Sequence, residues 1–269
     1  MKWFTALRRR PIAGYAAVVI ALALVGVAYA ALSPGAGTAE AAAAQDASQQ
    51  DIAKGKQIFD QTCATCHGLN GEGTKTGPSL IGVGAAAVDF QVSTGRMPAM
   101  NPGAQMPRKK PVIKGEQVNQ LAAYVASLGG GPAVPSSEES DPTHGNVRLG
   151  SQLFMANCAQ CHNFAGSGGA LTQGKYAPPL DQSTPTQIYE AMLTGPQSMP
   201  VFNDSTLKPD QKRAVIAYVT QTRDEVNPGG NGLGRIGPVS EGLVGWLAGI
   251  GLLILAAMWI TARQRERND

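Results

Sequence analysis

The sequence predicts an all-α protein in which one small helical domain occurs twice in tandem between two membrane-spanning segments. Three observations point there. A C-x-x-C-H motif stands at Cys63-Ala64-Thr65-Cys66-His67 and returns 95 residues later at Cys158-Ala159-Gln160-Cys161-His162. Apolar residues at helical spacing accompany the motifs. Uncharged runs long enough to cross a bilayer lie near both ends of the chain.

The motifs use all four cysteines and two of the three histidines of the 269 residues. Two cysteines three apart can each form a thioether to one porphyrin edge, and the adjoining histidine then lies under the ring, where it can ligate the iron. The spacing therefore predicts two covalently attached haem c groups. Cys63 and Cys66 with His67 would hold one, and Cys158 and Cys161 with His162 the other. Zinc knuckles and structural disulfides are the competing readings, and a histidine next to the second cysteine in both copies favours haem. A haem would also supply the apolar core that so small a domain lacks.

In chain order, residues 1–32 read as a signal anchor. Ile12–Leu32 carries no charge over 21 residues and follows Lys2 and Arg8-Arg9-Arg10, which should keep the N-terminus in the cytoplasm. A cleaved signal peptide competes, with small residues at Ala28-Tyr29-Ala30 and Ala39-Glu40-Ala41 as candidate cleavage sites. The full spanning length favours retention. Residues 33–50, rich in Ala, Gly, Ser and Gln, read as a flexible tether.

Residues 51–128 form the first predicted domain. A helix over 51–62 leads into the haem motif, with Gly55 and Phe59 on one face. A second helix, about 116–128, places Val118, Leu121, Ala122, Val125 and Leu128 at helical spacing, with Tyr124 beside them. The glycine admits a close helix approach and the aromatics fill the remaining space. Gly77-Pro78-Ser79-Leu80 is a turn whose proline carbonyl can accept the second N–H of His67. Ser93-Thr94-Gly95-Arg96-Met97-Pro98 offers Met97 as the other axial ligand, a soft thioether held out by an extended backbone. Met100 and Met106 are rivals.

Residues 129–142, rich in Gly, Pro, Ser and acids, read as a linker, with His144 just beyond it as a solvated loop histidine. Residues 143–226 repeat the first domain: Gly150-Ser151-Gln152-Leu153-Phe154 answers Gly55 to Phe59, Ala177-Pro178-Pro179-Leu180 answers the turn, and Ala217-Tyr218-Val219 answers Ala123-Tyr124-Val125. Thr194-Gly195-Pro196-Gln197-Ser198-Met199-Pro200 matches the methionine loop with two extra residues, giving Met199 as the second methionine ligand and supporting Met97 over Met100. Asn203-Asp204-Ser205 fits a glycosylation sequon, a match common by chance. Residues 227–241 form a Gly-rich connector. Residues 242–262 are a second uncharged span, with Trp246 and Trp259 near its ends, and 263–269 a tail whose Arg263, Arg265 and Arg267 place the C-terminus in the cytoplasm. Both termini are then inside and both haem domains outside.

The formal net charge of +3 belongs to the chain ends, and the region between is slightly acidic. No basic groove with interleaved aromatics calls for nucleic acid, and no strong steering of a mobile partner is expected.

Each domain, with G-x-x-x-F, C-x-x-C-H, a Pro-Leu turn, T-G-…-M-P and a Tyr-bearing last helix, resembles a class I cytochrome c domain. The whole layout is similar to the actinobacterial dihaem cytochrome cc subunits of the quinol–cytochrome c reductase. That resemblance implies a cytochrome b subunit, a Rieske iron–sulfur subunit and a haem-copper oxidase as partners. It implies electron relay from the Rieske centre through two haems, within an oxidoreductase complex and with no bond chemistry in this chain alone. Competing functions are a haem subunit of a periplasmic dehydrogenase and a dihaem peroxidase, the latter needing an iron with an open position.

Overall fold

Each C-x-x-C-H motif ends a helix that a later helix crosses at a glycine. The computed structural model describes residues 11–32, 49–101, 103, 105–225 and 238–266. The basic N-terminal flank, the tether over 33–48, the connector over 227–237 and the last three residues of the tail lie outside the described residues. The chain divides into two units, residues 1–48 and 49–269.

In the first repeat, α2 (Gln49–Thr62) begins with Asp51 in its first turn, where a carboxylate complements the helix dipole. Cys63 breaks it and a single turn, α3 (Ala64–His67), carries the rest of the motif. Gly68, at φ 83°, turns the chain away, a conformation that suits glycine. A helix over Ala85–Ser93, α4, and another over Glu116–Ser127, α5, complete the repeat. α5 lies across α2 so closely that a Cβ on Gly55 would stand 1.9 Å from the Gln120 carbonyl oxygen. Next to that contact the rings of Phe59 and Tyr124 tilt against each other at 5.1 Å. Phe59, Val92, Leu121 and Val125 form the buried centre.

A short helix, α6 (Ser137–Ser140), opens with a capping box between Ser136 and Glu139 and joins the two repeats. In the second repeat, Asn146 caps α7 (Val147–Asn157) by accepting from the Leu149 amide. α8 (Ala159–His162) is the motif turn, and α10 (Pro209–Asp224) crosses α7 after α9 (Pro185–Thr194). The crossing is the same one: a Cβ on Gly150 would stand 1.9 Å from the Ala214 carbonyl oxygen, and Phe154 meets Tyr218 at 5.2 Å. Phe154, Tyr189, Val215 and Ile216 are fully buried around it.

α4 and α9 are the elements that the sequence reading did not single out, and they pack against each other across the two repeats. The start of α9 was legible in principle: Thr184 and Gln187 form a capping box with Pro185 at the first helical position. The all-α expectation holds apart from a two-residue antiparallel ladder, β1 (Gly169–Ala170) with β2 (Tyr176–Ala177). At the C-terminal end, α11 (Pro238–Glu266) contains a 23-residue apolar span, Gly242–Gln264, whose residues are not buried. The N-terminal unit contributes a helix, α1 (Pro11–Leu32), whose described apolar stretch is Val18–Val27.

Candidate haem-binding sites

The motif histidines are held by the same device in both repeats. His67 Nδ1–H donates to the Pro78 carbonyl at 2.8 Å, and His162 Nδ1–H to the Pro178 carbonyl at 3.0 Å. A carbonyl only accepts, so the proton sits on Nδ1 and the lone pair of Nε2 is left for a metal. The bond also fixes the ring and raises its basicity as a ligand. Glycine at position 77 permits the approach, since a Cβ there would lie 2.6 Å from the Cys66 carbonyl oxygen and 3.1 Å from His67 Nδ1. Burial lowers the pKa of His162 against the opposing pull of the Pro178 carbonyl, so the ring is held neutral, the form that ligates.

All four cysteines are unbridged. Burial pushes Cys158 up to about 11 and raises Cys63 as well. These are protonated thiols in apolar surroundings, not the exposed thiolates of a redox pair. Among the described residues no group of three or more His, Cys, Asp and Glu side chains is arranged to hold a metal ion.

In the second repeat the predicted residues converge. Cys158, Cys161, His162 and Met199 line one open cleft. Its walls include Leu171, Leu180, Ile188 and Val219. An apolar cleft lined by two thiols, an imidazole nitrogen free to bind and a thioether sulfur fits a haem. Met106 and Met192 also line it, so Met106, a rival sulfur for the first site, lies at the second. In the first repeat Met97 and Cys63 pack against one core, while Met100 is 85% exposed.

The residues that the sequence reading missed come from the first repeat and reach into the second. Arg96, Gln105, Met106 and Arg108 line the second cleft. The Gln105 side chain donates to the Tyr176 carbonyl at 2.7 Å and accepts from the Tyr176 amide at 2.9 Å. Arg108 donates to the Gln182 carbonyl at 2.6 Å and to Gln187 Oε1 at 2.5 Å. Gln187 Nε2 in turn donates to Ser93 Oγ at 3.2 Å. The one signal in the sequence was the two-residue extension of the second methionine loop. Gln197 within it adopts φ 61° and bonds the Met106 backbone.

Two helical repeats, each presenting C-x-x-C-H with its imidazole oriented from behind, define a c-type cytochrome. The model of the cytochrome c family matches residues 52–129, and the model described as cytochrome c oxidase, cbb3-type, subunit III matches 145–219. The chain is 47% identical to the cytochrome bc1 complex cytochrome c subunit of Corynebacterium efficiens, over 95% of this chain and 90% of that protein. It is 46% identical to the protein of the same description in Mycobacterium tuberculosis, over 95% and 92%. A more distant relative, 28% identical over 62% of this chain and 59% of its own length, is the cbb3-type cytochrome c oxidase subunit FixP of Bradyrhizobium diazoefficiens. The chain belongs to the family of cytochrome bc1 complex cytochrome c subunits of actinobacteria.

Proposed function

We propose that this chain is the membrane-anchored dihaem subunit of a respiratory quinol–cytochrome c reductase. In this role it relays electrons from a Rieske centre to a haem-copper oxidase. The observation that carries the reading is the duplicated site: two motif histidines with Nδ1–H tied to a proline carbonyl, on two cores of one design. Cys63, Cys66, Cys158 and Cys161 would form the thioethers, and His67, His162, Met97 and Met199 would ligate the irons. Haem c supplies one-electron chemistry when bound. The chain's own part is to fix the imidazole tautomer, keep water from the cleft with apolar walls and offer sulfur, which raises the reduction potential. A sulfur within the second cleft opposes the open iron position that a peroxidase needs.

The partners of this reading are a cytochrome b subunit, a Rieske subunit and the oxidase, held in one membrane assembly. Family membership supports the first two as components of a bc1 complex, and the resemblance of the layout supports the third. α11 anchors the chain, and α1 adds a second crossing with both termini in the cytoplasm and both repeats outside. Purification in mild detergent tests this. Recovery with cytochrome b and with two haems per chain by mass is the expected result, whereas recovery with a dehydrogenase and no cytochrome b overturns it. Replacing Cys158 and Cys161 by serine should remove one haem and stop electron passage.

A further inference from the structure

The second cleft is charged in one sense only. Arg96, Arg108 and Lys175 line it, and no described aspartate or glutamate does. Arg108 already has two acceptors, Gln182 and Gln187. Arg96 is different. It is 8% exposed, makes no side-chain hydrogen bond or ion pair with another described residue, and stacks its guanidinium 4.9 Å above the Phe90 ring. An aromatic face attracts a cation but does not neutralise it, and a buried charge without a counter-ion is costly. Two guanidiniums brought together inside one cleft describe a receptor for an anion that arrives with the ligand, and arginine is the side chain suited to a carboxylate.

We infer that Arg96, with Arg108 beside it, binds a propionate carboxylate of the haem in the second repeat, so that the first repeat completes the second repeat's cofactor site. This rests on the haem reading of the second cleft. The carboxylate would replace the missing counter-charge of Arg96, and Arg96 would hold that haem by its polar edge while the thioethers hold the opposite side. A cation fixed near the haem's carboxylate edge also disfavours the oxidised, more positive iron and so raises the potential.

The test uses the full chain in its detergent-purified assembly, as wild type, Arg96→Gln and Arg96→Lys. Haems are counted by mass, and each is titrated potentiometrically. The second haem is assigned as the one missing from the serine variant of Cys158 and Cys161. With both haems attached, Arg96→Gln should lower the second haem's reduced-to-oxidised ratio about tenfold at fixed ambient potential, roughly 59 mV for one electron. The first haem should stay in place, and Arg96→Lys should restore most of the loss. An unchanged second haem, or a shift confined to the first, overturns the inference.

If Arg96→Gln fails to assemble, resonance Raman of the wild type decides. Propionate bending modes of the second haem shifted from those of a solvent-exposed propionate support the contact, and unshifted modes refute it. A wild-type chain carrying one haem would instead defeat the reading of the cleft itself.

Discussion

Both ends of the Gln197 side-chain amide are bonded to Met106: Oε1 accepts from the Met106 amide at 3.2 Å and Nε2 donates to the Met106 carbonyl at 3.0 Å. Gln105, one residue earlier, makes the reciprocal pair of bonds to Tyr176. Each repeat thus reads the other's backbone with a glutamine, as neighbouring strands read one another, but from a side chain. Gln197→Ala deletes one such pair, at a cost of about 1 kcal/mol for neutral bonds at a partly exposed site. Hydrogen exchange at the Met106 amide should speed up in the variant while the amides of α5 keep their protection. Equal protection of Met106 in both proteins would show that the bridge does not persist in solution.

Met199→Ala should lower the potential of the second haem while both thioethers remain, since a thioether ligand raises the potential and plays no part in covalent attachment. Visible spectra and potentiometric titration of the variant check this. Should the potential hold, Met106 and Met192, which face the same cleft, are the sulfurs to replace next.

Glu190 on α9 is completely buried. Burial, with the nearby Asp89 of α4 adding to it, pushes its pKa up to about 10 from 4.5. The folded protein therefore keeps the proton that the unfolded chain releases near pH 4.5. Stability is whole below that pH and declines as pH rises towards 10. Glu190→Gln is neutral at every pH and should gain on the wild type by roughly 2–3 kcal/mol between pH 6 and pH 8. Melting temperatures of the two proteins at those pH values should diverge, and parallel behaviour would mean that water reaches the carboxyl.

Gly150→Ala should open the crossing of α7 and α10, because its methyl group would fall 1.9 Å from the Ala214 carbonyl oxygen. Overpacking of this kind costs about 3 kcal/mol, and here it displaces the helix that leads into the second motif. Haem counts by mass should fall by one. Gly249→Ala in α11, where a Cβ meets nothing within 4 Å, should leave the count at the wild-type value.

What could be read in the chain and what could not divide along a physical line. The glycine crossings, the Phe–Tyr contacts and the His67 bond to Pro78 are set by residues close in sequence or by a repeated pattern, and the structure has them as expected. α4 escaped notice because Gly84 offers no capping side chain and its run of alanines carries no clear face. Arg96 escaped for another reason. Beside Met97 it looks like a solvated loop cation, and nothing local reveals that it lines the cleft of the second repeat. The contact of one repeat with the other is a property of two surfaces, and neither repeat's own pattern encodes it. The two additional residues of the second methionine loop were visible as a length difference, but their use appeared only when Gln197 was seen against Met106.

Arg96 and Met97 are chain neighbours, yet one lines the cleft of the second repeat and the other packs into the core of the first. The second repeat in this way depends on the first for part of its site. A loop imported into the first from some other cytochrome would remodel the second, and a split gene would deliver a second half lacking part of its wall.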